Sequence, residues 1–313
     1  MLQRKVTGLM KVSLYGAAMW TVLTPALAIA DPQALTTAPA VSALSSYEYF
    51  GSLSVGNHFG ATSRGGENAF AVGLNFKARA SFIAPVAGSL ALQGDGQFEH
   101  STYEVGSQPV FMHQVSSIAG HFFTANSSGL LGVIVQADSS SDSAPYSAGQ
   151  NNRYFVGLEG QYFHGDTILY GQAAYQRHSL DYIAGAGISD GVSVAGQVSR
   201  FVNSNFVVVA KVAYENLCGS NLLEGIDHFS WRVGALAEYR FDASPVSVFG
   251  LVHFRKSQLS GSIASGFKEA ETRALVGVKL NFASQRRRSG SALDPMQPLR
   301  LITPPALYFV RRS

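Results

Sequence analysis

The sequence predicts an all-β fold, a transmembrane antiparallel up-and-down β-barrel of about 12 strands, with roughly 10–14 compatible with the weaker segments. Segments of alternating polarity recur from Tyr47 onward, and the connections between them alternate between short and long. Only 14% of the residues are charged and 46% are hydrophobic, a lower charge content than soluble domains have. No apolar stretch of about 18 residues follows residue 30, which argues against a helical membrane protein.

Ala69–Phe82 is the clearest of these segments. Large apolar side chains occupy one face, and the other face carries Lys77 and Arg79. The segment exceeds the roughly 5–6 residues of an ordinary strand but suits a strand tilted across a bilayer. The same alternation, in places weaker, recurs in Tyr47–Val55, Ser89–Glu99, Phe111–Phe123, Leu130–Gln136, Arg153–Phe163, Thr167–His178, Gly191–Phe201, Phe206–Leu217, Phe229–Phe241, Val246–Arg255 and Thr272–Phe282.

The last segment, Thr272–Phe282, shows why lipid is expected outside and water inside. Its apolar face ends in the aromatic Phe282, and its polar face carries Arg273 and Lys279. A soluble β-sandwich would bury its apolar faces and expose its polar ones, whereas here the charged faces mix both signs as an enclosed lining would. Pairing of this strand with the first would leave the sheet without edges.

The connections predict which end of the barrel lies on which side of the membrane. Short turns are expected at Ile83–Gly88, Thr124–Gly129, His164–Asp166, Asn203–Asn205 and Asp242–Pro245. Long loops are expected at Gly56–Asn68, His100–Val110, Ala137–Asn152, Ser179–Asp190, Cys218–His228 and Lys256–Ala270. Short periplasmic turns and longer external loops are typical of outer-membrane barrels, so both termini are expected in the periplasm. Aromatic residues near the strand ends predict two girdles.

The ends of the chain differ in composition from its middle. Residues 1–30 combine a basic start, an apolar stretch and the cleavage pattern Ala28–Ala30, which predicts a removed secretory signal. The alternative is a membrane anchor, but polar residues and Pro25 interrupt the apolar stretch. Residues 31–45 are expected to be a linker, 46–282 the barrel, and 283–313 a disordered, basic, proline-containing periplasmic tail.

The charge of the mature chain gives no indication of nucleic acid as a partner, and none is expected. The whole chain carries 23 Lys and Arg against 20 Asp and Glu, and the predicted signal holds three of the basic residues. The remainder is therefore neutral. The tail holds six Arg against Asp294, which suggests an alternative role for it as a tether to anionic cell-wall polymer or inner-leaflet phosphate.

No motif for catalysis, cofactor binding or metal binding is present. The chain lacks a P-loop, a dinucleotide fingerprint, an HExxH helix and a GxSxG turn. His113 and His121 share one side of a strand but would lie about 26 Å apart, too far for one metal ion. The single cysteine, Cys218, excludes an intramolecular disulfide framework. The sequence therefore predicts no enzyme, no cofactor and no metal site.

The polar faces supply the candidate functional residues. The expected lumen lining comprises Lys77, Arg79, Asp95, Glu99, Arg153, Glu159, Lys211, Glu215, Arg232, Glu238, Arg240, Arg255, Arg273 and Lys279, with His253 beside them. These charges either pair across strands and fill the interior, or line a pore and select solutes. A basic cluster hints at anionic solutes and comprises Arg153, Arg232, Arg240, Arg255, Arg273 and Lys279.

The signal-like start, the alternating segments and the closing Ala274–Phe282 resemble the outer-membrane β-barrel (porin-like) proteins of Gram-negative bacteria. Ser89–Gly96 and Gly120–Val133 are similar to uncharacterised alphaproteobacterial members. The resemblance implies a bacterial outer-membrane location, contact with outer-membrane lipid and with the barrel-assembly machinery, and Phe282 as the assembly signal. Because the chain continues past Phe282, Tyr308–Val310 is an alternative aromatic end.

The same resemblance implies a porin-like channel for passive diffusion of small hydrophilic solutes. The alternative is a non-conducting structural or surface-interaction barrel. An outer-membrane lipid hydrolase with Ser and His near the barrel rim is the less favoured third possibility, since no motif of that kind is present.

Overall fold

The computed structural model describes residues 48–283, apart from 65–66, 106–110, 127, 145–146, 183–184, 204, 222–225, 243 and 262–267. This part of the chain forms twelve strands. They are β1 (Glu48–Arg64), β2 (Glu67–Ala87), β3 (Leu90–Val105), β4 (Phe111–Asn126), β5 (Gly129–Ala144), β6 (Ser147–His164), β7 (Thr167–Tyr182), β8 (Gly185–Asn203), β9 (Phe206–Asn221), β10 (Ile226–Arg240), β11 (Val246–Gly261) and β12 (Lys268–Ala283). No helix in the described residues is long and apolar enough to cross a membrane. The expected signal, linker and tail lie outside them.

The strands form one closed antiparallel barrel. Each strand pairs with its neighbours in the chain, and β1 pairs with β12 to complete the ring. That pairing extends from Phe50 opposite Ala283 to Arg64 opposite Glu269. The predicted fold class, strand number and closure are confirmed, and no strand has an unpaired edge along this contact.

The strands extend further than the sequence predicted. They are 15 to 21 residues long, and β1 continues to Arg64 although Gly56–Asn68 was expected to be a loop. The expectation of six long loops was therefore wrong. Ser, Gly and Asn have low strand propensity, but each further residue pair satisfies backbone hydrogen-bonding groups, and this tertiary pairing overrides propensity. A strand of about 16 residues tilted by about 45° rises roughly 37 Å, more than an apolar band of about 25 Å.

Tight turns connect the strands at the end where the chain enters and leaves the barrel. Gly88 joins β2 to β3 and Gly165 joins β6 to β7, with φ angles of 57° and 53°. Only glycine adopts this left-handed conformation without strain, so these two turns are encoded directly by the sequence.

The outer face carries an apolar belt bounded by aromatic side chains. Around the end with the tight turns, the exposed aromatics are Tyr49, Phe82, Phe122, Tyr162, Tyr239, Phe241 and Phe282. Further along the strands a second row contains Phe59, Phe70, Tyr154 and Tyr175, and Trp231 packs 5.1 Å from Phe254 between ring centroids. Between the rows, the exposed side chains are mainly Val, Leu and Ile. The arrangement matches the two expected girdles.

Two glycines face each other where β1 meets β12. Gly56 pairs directly with Gly277. A Cβ atom on Gly56 would lie 2.6 Å from the Val276 carbonyl oxygen, and one on Gly277 would lie 2.3 Å from the Val55 carbonyl oxygen. The close approach that completes the ring therefore depends on the absence of side chains at this pair.

Candidate functional site: the polar interior of the barrel

The inward faces of the strands are polar, and they contain the residues expected to line the lumen. Thirteen of the fourteen are buried or half-buried, and Arg240 alone among them is exposed, at the end of β10 near the tight turns. Their alternation with exposed apolar neighbours places them on the enclosed side of the sheet. His253 on β11 is also buried there.

A histidine on β4 bridges two carboxylates from different strands. His121 Nε2 lies 2.9 Å from Asp95 Oδ2 on β3, and His121 Nδ1 lies 2.6 Å from Glu159 Oε1 on β6. The three side chains have no solvent-exposed area or almost none. Gly132 on β5, which pairs with Glu159, adds no side chain between them.

Further donors satisfy the two carboxylates of this cluster. Arg79 Nη2 donates to Asp95 Oδ1 at 2.9 Å, and Gln93 Nε2 donates to Asp95 Oδ2 at 2.8 Å. The Ser81 hydroxyl donates to the same Asp95 carboxylate. Tyr170 on β7 donates its hydroxyl hydrogen to Glu159 Oε2 at 2.9 Å. Side chains from β2, β3, β4, β6 and β7 are thus joined in one network, called the Asp95–His121–Glu159 network below.

Carboxylates neutralise most of the basic cluster that suggested anionic solutes. Arg153 Nε donates to Asp138 Oδ2 at 2.8 Å. Arg255 lies 3.2 Å from Glu269 and 3.3 Å from Glu271. Because both partners of such pairs are largely buried, the interior requires the opposite charges in order to enclose these arginines.

The other members of the basic cluster differ in their surroundings. Arg273 contacts Glu271, and Lys279 Nζ donates to Glu238 Oε2 at 2.9 Å. Arg232 is buried on β10, one inward position from Ser230, which pairs with Glu215 on β9. Arg240 is exposed, and carboxylates lie beside most other members of the cluster, so the cluster is not a net positive lining. The expectation of anionic solutes, which depended on this cluster, therefore loses its support.

Burial divides the lumen into two unlike sides. The packed wall comprises the inward faces of β4–β7, where all the inward side chains from His113 to Phe123 are buried. Apolar groups complete it, including Ile134, Phe155 and Tyr170, which form one buried cluster. A second buried cluster of Ile83, Ala91 and Phe123 lies near the tight turns.

The open wall comprises the inward faces of β12, β1 and β2. Some inward residues are buried here too, such as Asn75 and Glu271. Three charged side chains nevertheless keep access to solvent: 39% of Lys77 is exposed, as are 27% of Arg273 and 20% of Lys279. Glu99 on the adjoining β3 is 30% exposed and lies 4.0 Å from Lys77 Nζ. Because these residues point inward, the solvent that reaches them is in the lumen.

A separate concavity of about 800 Å³ lies on the outer face of β2–β5. Its floor contains Gly94, which pairs with Gly120, and its rim contains Phe82 and Ile118. The rim side chains are exposed members of the apolar belt. Its lining also includes Asp95 and His121, so the groove lies over the part of the sheet that carries the Asp95–His121–Glu159 network.

No group of three or more His, Cys, Asp and Glu that could hold a metal ion occurs in the described residues. In the Asp95–His121–Glu159 network, the imidazole lies between the carboxylates, with one ring nitrogen near each of them. Its donors therefore do not converge on one point, as the ligands of a metal ion must.

Sequence reasoning missed several residues that organise the interior, namely His121, Asp138, Tyr170, Glu269 and Glu271. His121 was considered only as a partner of His113, because its inward neighbours on β4 are uncharged. Its inward position was readable from the alternation. Its contacts with Asp95 and Glu159 could not be predicted, because these residues lie 26 and 38 positions away in the chain.

Comparisons with known proteins identify no family. No protein-family model and no curated protein matches the chain. Among solved structures, the β domain of the Bordetella autotransporter Brka is 7% identical, with 74% of this chain and 99% of that chain covered and a TM-score of 0.45. The translocator domain of autotransporter NalP from Neisseria meningitidis is 14% identical, with coverage of 86% and 98% and a TM-score of 0.39.

An anion-selective porin from Comamonas acidovorans is 12% identical, with 76% of this chain and 99% of that chain covered and a TM-score of 0.36. Likenesses this distant carry no argument about what this chain binds or conducts. The similarity to alphaproteobacterial proteins stays a prediction.

Proposed function

We propose that the chain is a bacterial outer-membrane β-barrel that conducts small hydrophilic solutes by passive diffusion. The membrane location is supported by the exposed apolar belt between two aromatic rows. Soluble proteins rarely expose so large a continuous surface of Val, Leu and Phe side chains to water. Cell fractionation with a heat-modifiability gel tests it: a folded barrel in the outer-membrane fraction is expected, and a soluble folded protein would contradict it.

Conduction is supported above all by the solvent access of the open wall. Lys77 is 39% exposed although it points inward from the middle of β2. A barrel filled along its whole length would bury such a side chain or pair it closely. A lumen of about twelve strands is intermediate between filled eight-stranded barrels and open sixteen-stranded channels.

Planar-bilayer recording of the refolded protein tests conduction. Discrete conductance steps are expected after insertion, with a small unit conductance because the packed wall narrows the lumen. An inserted barrel that gives no steps above the leak would reject the channel.

A non-conducting barrel is the second candidate, and the packed wall favours it. Charged and polar side chains there are buried as deeply as in a protein core, with Glu159 at 2% exposure and His121 at 1%. Such a wall serves stability rather than transport. The external ends of the long strands would then carry the function, and loss of surface interactions without any change in solute uptake would identify it.

An enzymatic role has little support from the geometry, and we propose none. The arrangement closest to a hydrolase site is Ser81, Asp95 and His121, but the Ser81 hydroxyl donates to Asp95 rather than to His121. A nucleophilic serine requires the base at its own oxygen. Hydrolysis of phospholipid or lipid A by the purified barrel, lost in Ser81→Ala, would contradict this assignment.

A further inference from the structure

Two lysines stand close together on the outer face of the barrel, one on β11 and one on β12. Lys256 lies between the buried, inward-facing Arg255 and Ser257, and both Lys256 and Lys268 are exposed. Lys256 is opposite Ala270, which is two residues from Lys268 on β12. Diagonal neighbours of this kind on one face of a sheet lie about 7–8 Å apart. The two ammonium groups therefore reach the same small area of the outer surface.

No carboxylate neutralises this lysine pair among the described residues, and neither lysine makes a salt bridge there. The two carboxylates of β12, Glu269 and Glu271, point inward beside Arg255. The outward carboxylate of β10, Asp227, is four residues from Trp231, which lies opposite the lysine of β11. That separation is about 13 Å along the strand. The outer surface around the pair is therefore positively charged.

Arginines elsewhere on the outer face show the more usual arrangement. Arg177 on β7 lies opposite Asp190 on β8, and Arg200 Nη2 lies 3.9 Å from the Asp166 carboxylate. The lysine pair differs because its cross-strand neighbours are uncharged. Like charges on neighbouring strands repel each other and destabilise the sheet. An anion from outside the chain would remove that repulsion.

Aromatic side chains continue the surface from the lysine pair toward the apolar belt. Trp231 lies directly opposite Lys256. Phe254 is the next outward residue of β11 toward the belt, and its ring centroid is 5.1 Å from that of Trp231. These rings lie in the second aromatic row, where lipid headgroups meet acyl chains, and lysines at that boundary direct their ammonium groups to the headgroups. A molecule that fits this surface is anionic at one end and apolar at the other.

We propose that Lys256 and Lys268 bind the phosphate group of an anionic lipid in the outer leaflet, with its acyl chain against Trp231 and Phe254. Lysines near a membrane surface attract anionic headgroups, and each ammonium group can donate to several phosphate oxygens. The aromatic surface favours a lipid over a free phosphate ion, which would gain nothing from the rings. The inference rests on the proposed membrane location and is independent of conduction.

Trp231 supplies a reporter at the site itself. The chain has two tryptophans, so Trp20→Phe in the full chain leaves Trp231 as the single one. This protein is refolded into phosphatidylcholine vesicles that contain a small fraction of a lipid with brominated acyl chains, which quench nearby tryptophan fluorescence. Brominated phosphatidic acid is expected to associate about fivefold or more in preference to brominated phosphatidylcholine. Equal quenching by the two lipids would overturn the inference.

The lysines are tested in the same background. Lys256→Gln combined with Lys268→Gln is expected to abolish the preference for the anionic lipid. Arg177→Gln is the matched control, since Arg177 is exposed on the outer face and already has Asp190 opposite it, and it should keep the preference. A preference that survives in the double variant, or that Arg177→Gln removes, would refute a site at the lysine pair.

Two further measurements separate the possible causes of failure. Inorganic phosphate, compared with chloride at the same ionic strength, is expected to leave the lipid preference unchanged, and displacement of the lipid would refute a lipid site in favour of a phosphate ion. A heat-modifiability gel reports whether each vesicle preparation contains folded, inserted barrel. A folded chain that does not enter vesicles would refute the membrane location together with the site, whereas an inserted barrel without lipid preference would refute the site alone.

Discussion

The packed wall and the open wall are built by the same alternation rule, yet they differ in what their polar side chains do. On β4–β7, His121 and Glu159 are enclosed by neighbours and by apolar groups such as Ile134. On β12, β1 and β2, Lys77 and Lys279 keep contact with lumen water. Alternation thus decides only that a side chain points inward. The size and polarity of the residues opposite decide whether it becomes part of a core or stays accessible to solvent in the lumen.

The largest loss in the free energy of unfolding is expected for a substitution in the packed wall. His121→Leu removes both nitrogens that contact Asp95 and Glu159 and leaves two buried carboxylates without that partner. A loss of about 3–5 kcal/mol in the free energy of unfolding is expected, measured by urea titration of the refolded barrel in vesicles.

The matched substitution on the open wall is Lys77→Met. Lys77 is 39% exposed and its carboxylate partner lies 4.0 Å away, so a change of only about 0–1 kcal/mol is expected. Adding Asp95→Asn and Glu159→Gln to His121→Leu should restore part of the lost stability, because the unpaired charges are removed. Equal losses for His121→Leu and Lys77→Met would erase the distinction between the walls.

A smaller loss is expected at the contact that closes the open wall. A Cβ atom at Gly277 would lie 2.3 Å from the Val55 carbonyl oxygen, so Gly277→Ala should force β1 and β12 apart and cost about 1–3 kcal/mol. Gly250→Ala is the control, since nothing lies within 4 Å of a Cβ atom there. Similar urea midpoints for the two variants would show that close approach at the Gly56–Gly277 pair is not required.

Phe282 should affect assembly more than final stability. Its ring is exposed on the outer face of β12, where the residue pairs with Gly51. Phe282→Ala is expected to reduce the fraction of barrel inserted in cells, measured by heat-modifiability of outer-membrane fractions, whereas Phe309→Ala should have no effect. The reverse result would place the assembly signal in the tail.

The smallest effect on the barrel is expected from deletion of residues 284–313. None of the strand pairings described above involves that segment, so the urea midpoint should stay the same. Retention on isolated cell wall should fall if the six arginines of the tail act as a tether. Unchanged retention would leave the tail without that role.

Alternation and turn chemistry made most of the fold predictable. The period of two in Ala69–Phe82 and Thr272–Phe282 assigned lipid-facing and lumen-facing sides, and the glycines at Gly88 and Gly165 marked tight turns. Strand ends were less predictable. Gly56–Arg64 reads as a loop by propensity, but it forms strand because β2 and β12 offer hydrogen-bonding partners on both sides.

The sequence by itself determined that the chain is a closed barrel with polar residues inside, because side-chain alternation is a local property of an extended backbone. It also determined many of the charges that point inward, but not Asp138, Glu269 and Glu271, which lie at or beyond the ends of the predicted strands.

Only the tertiary structure decided which of the inward charges meet, because strand register and the curvature of the whole sheet bring together residues far apart in the chain, such as His121 on β4 and Glu159 on β6. That curvature encloses His121 between Asp95 and Glu159. The register of neighbouring strands sets Asp138 opposite Arg153 and Glu271 opposite Arg255.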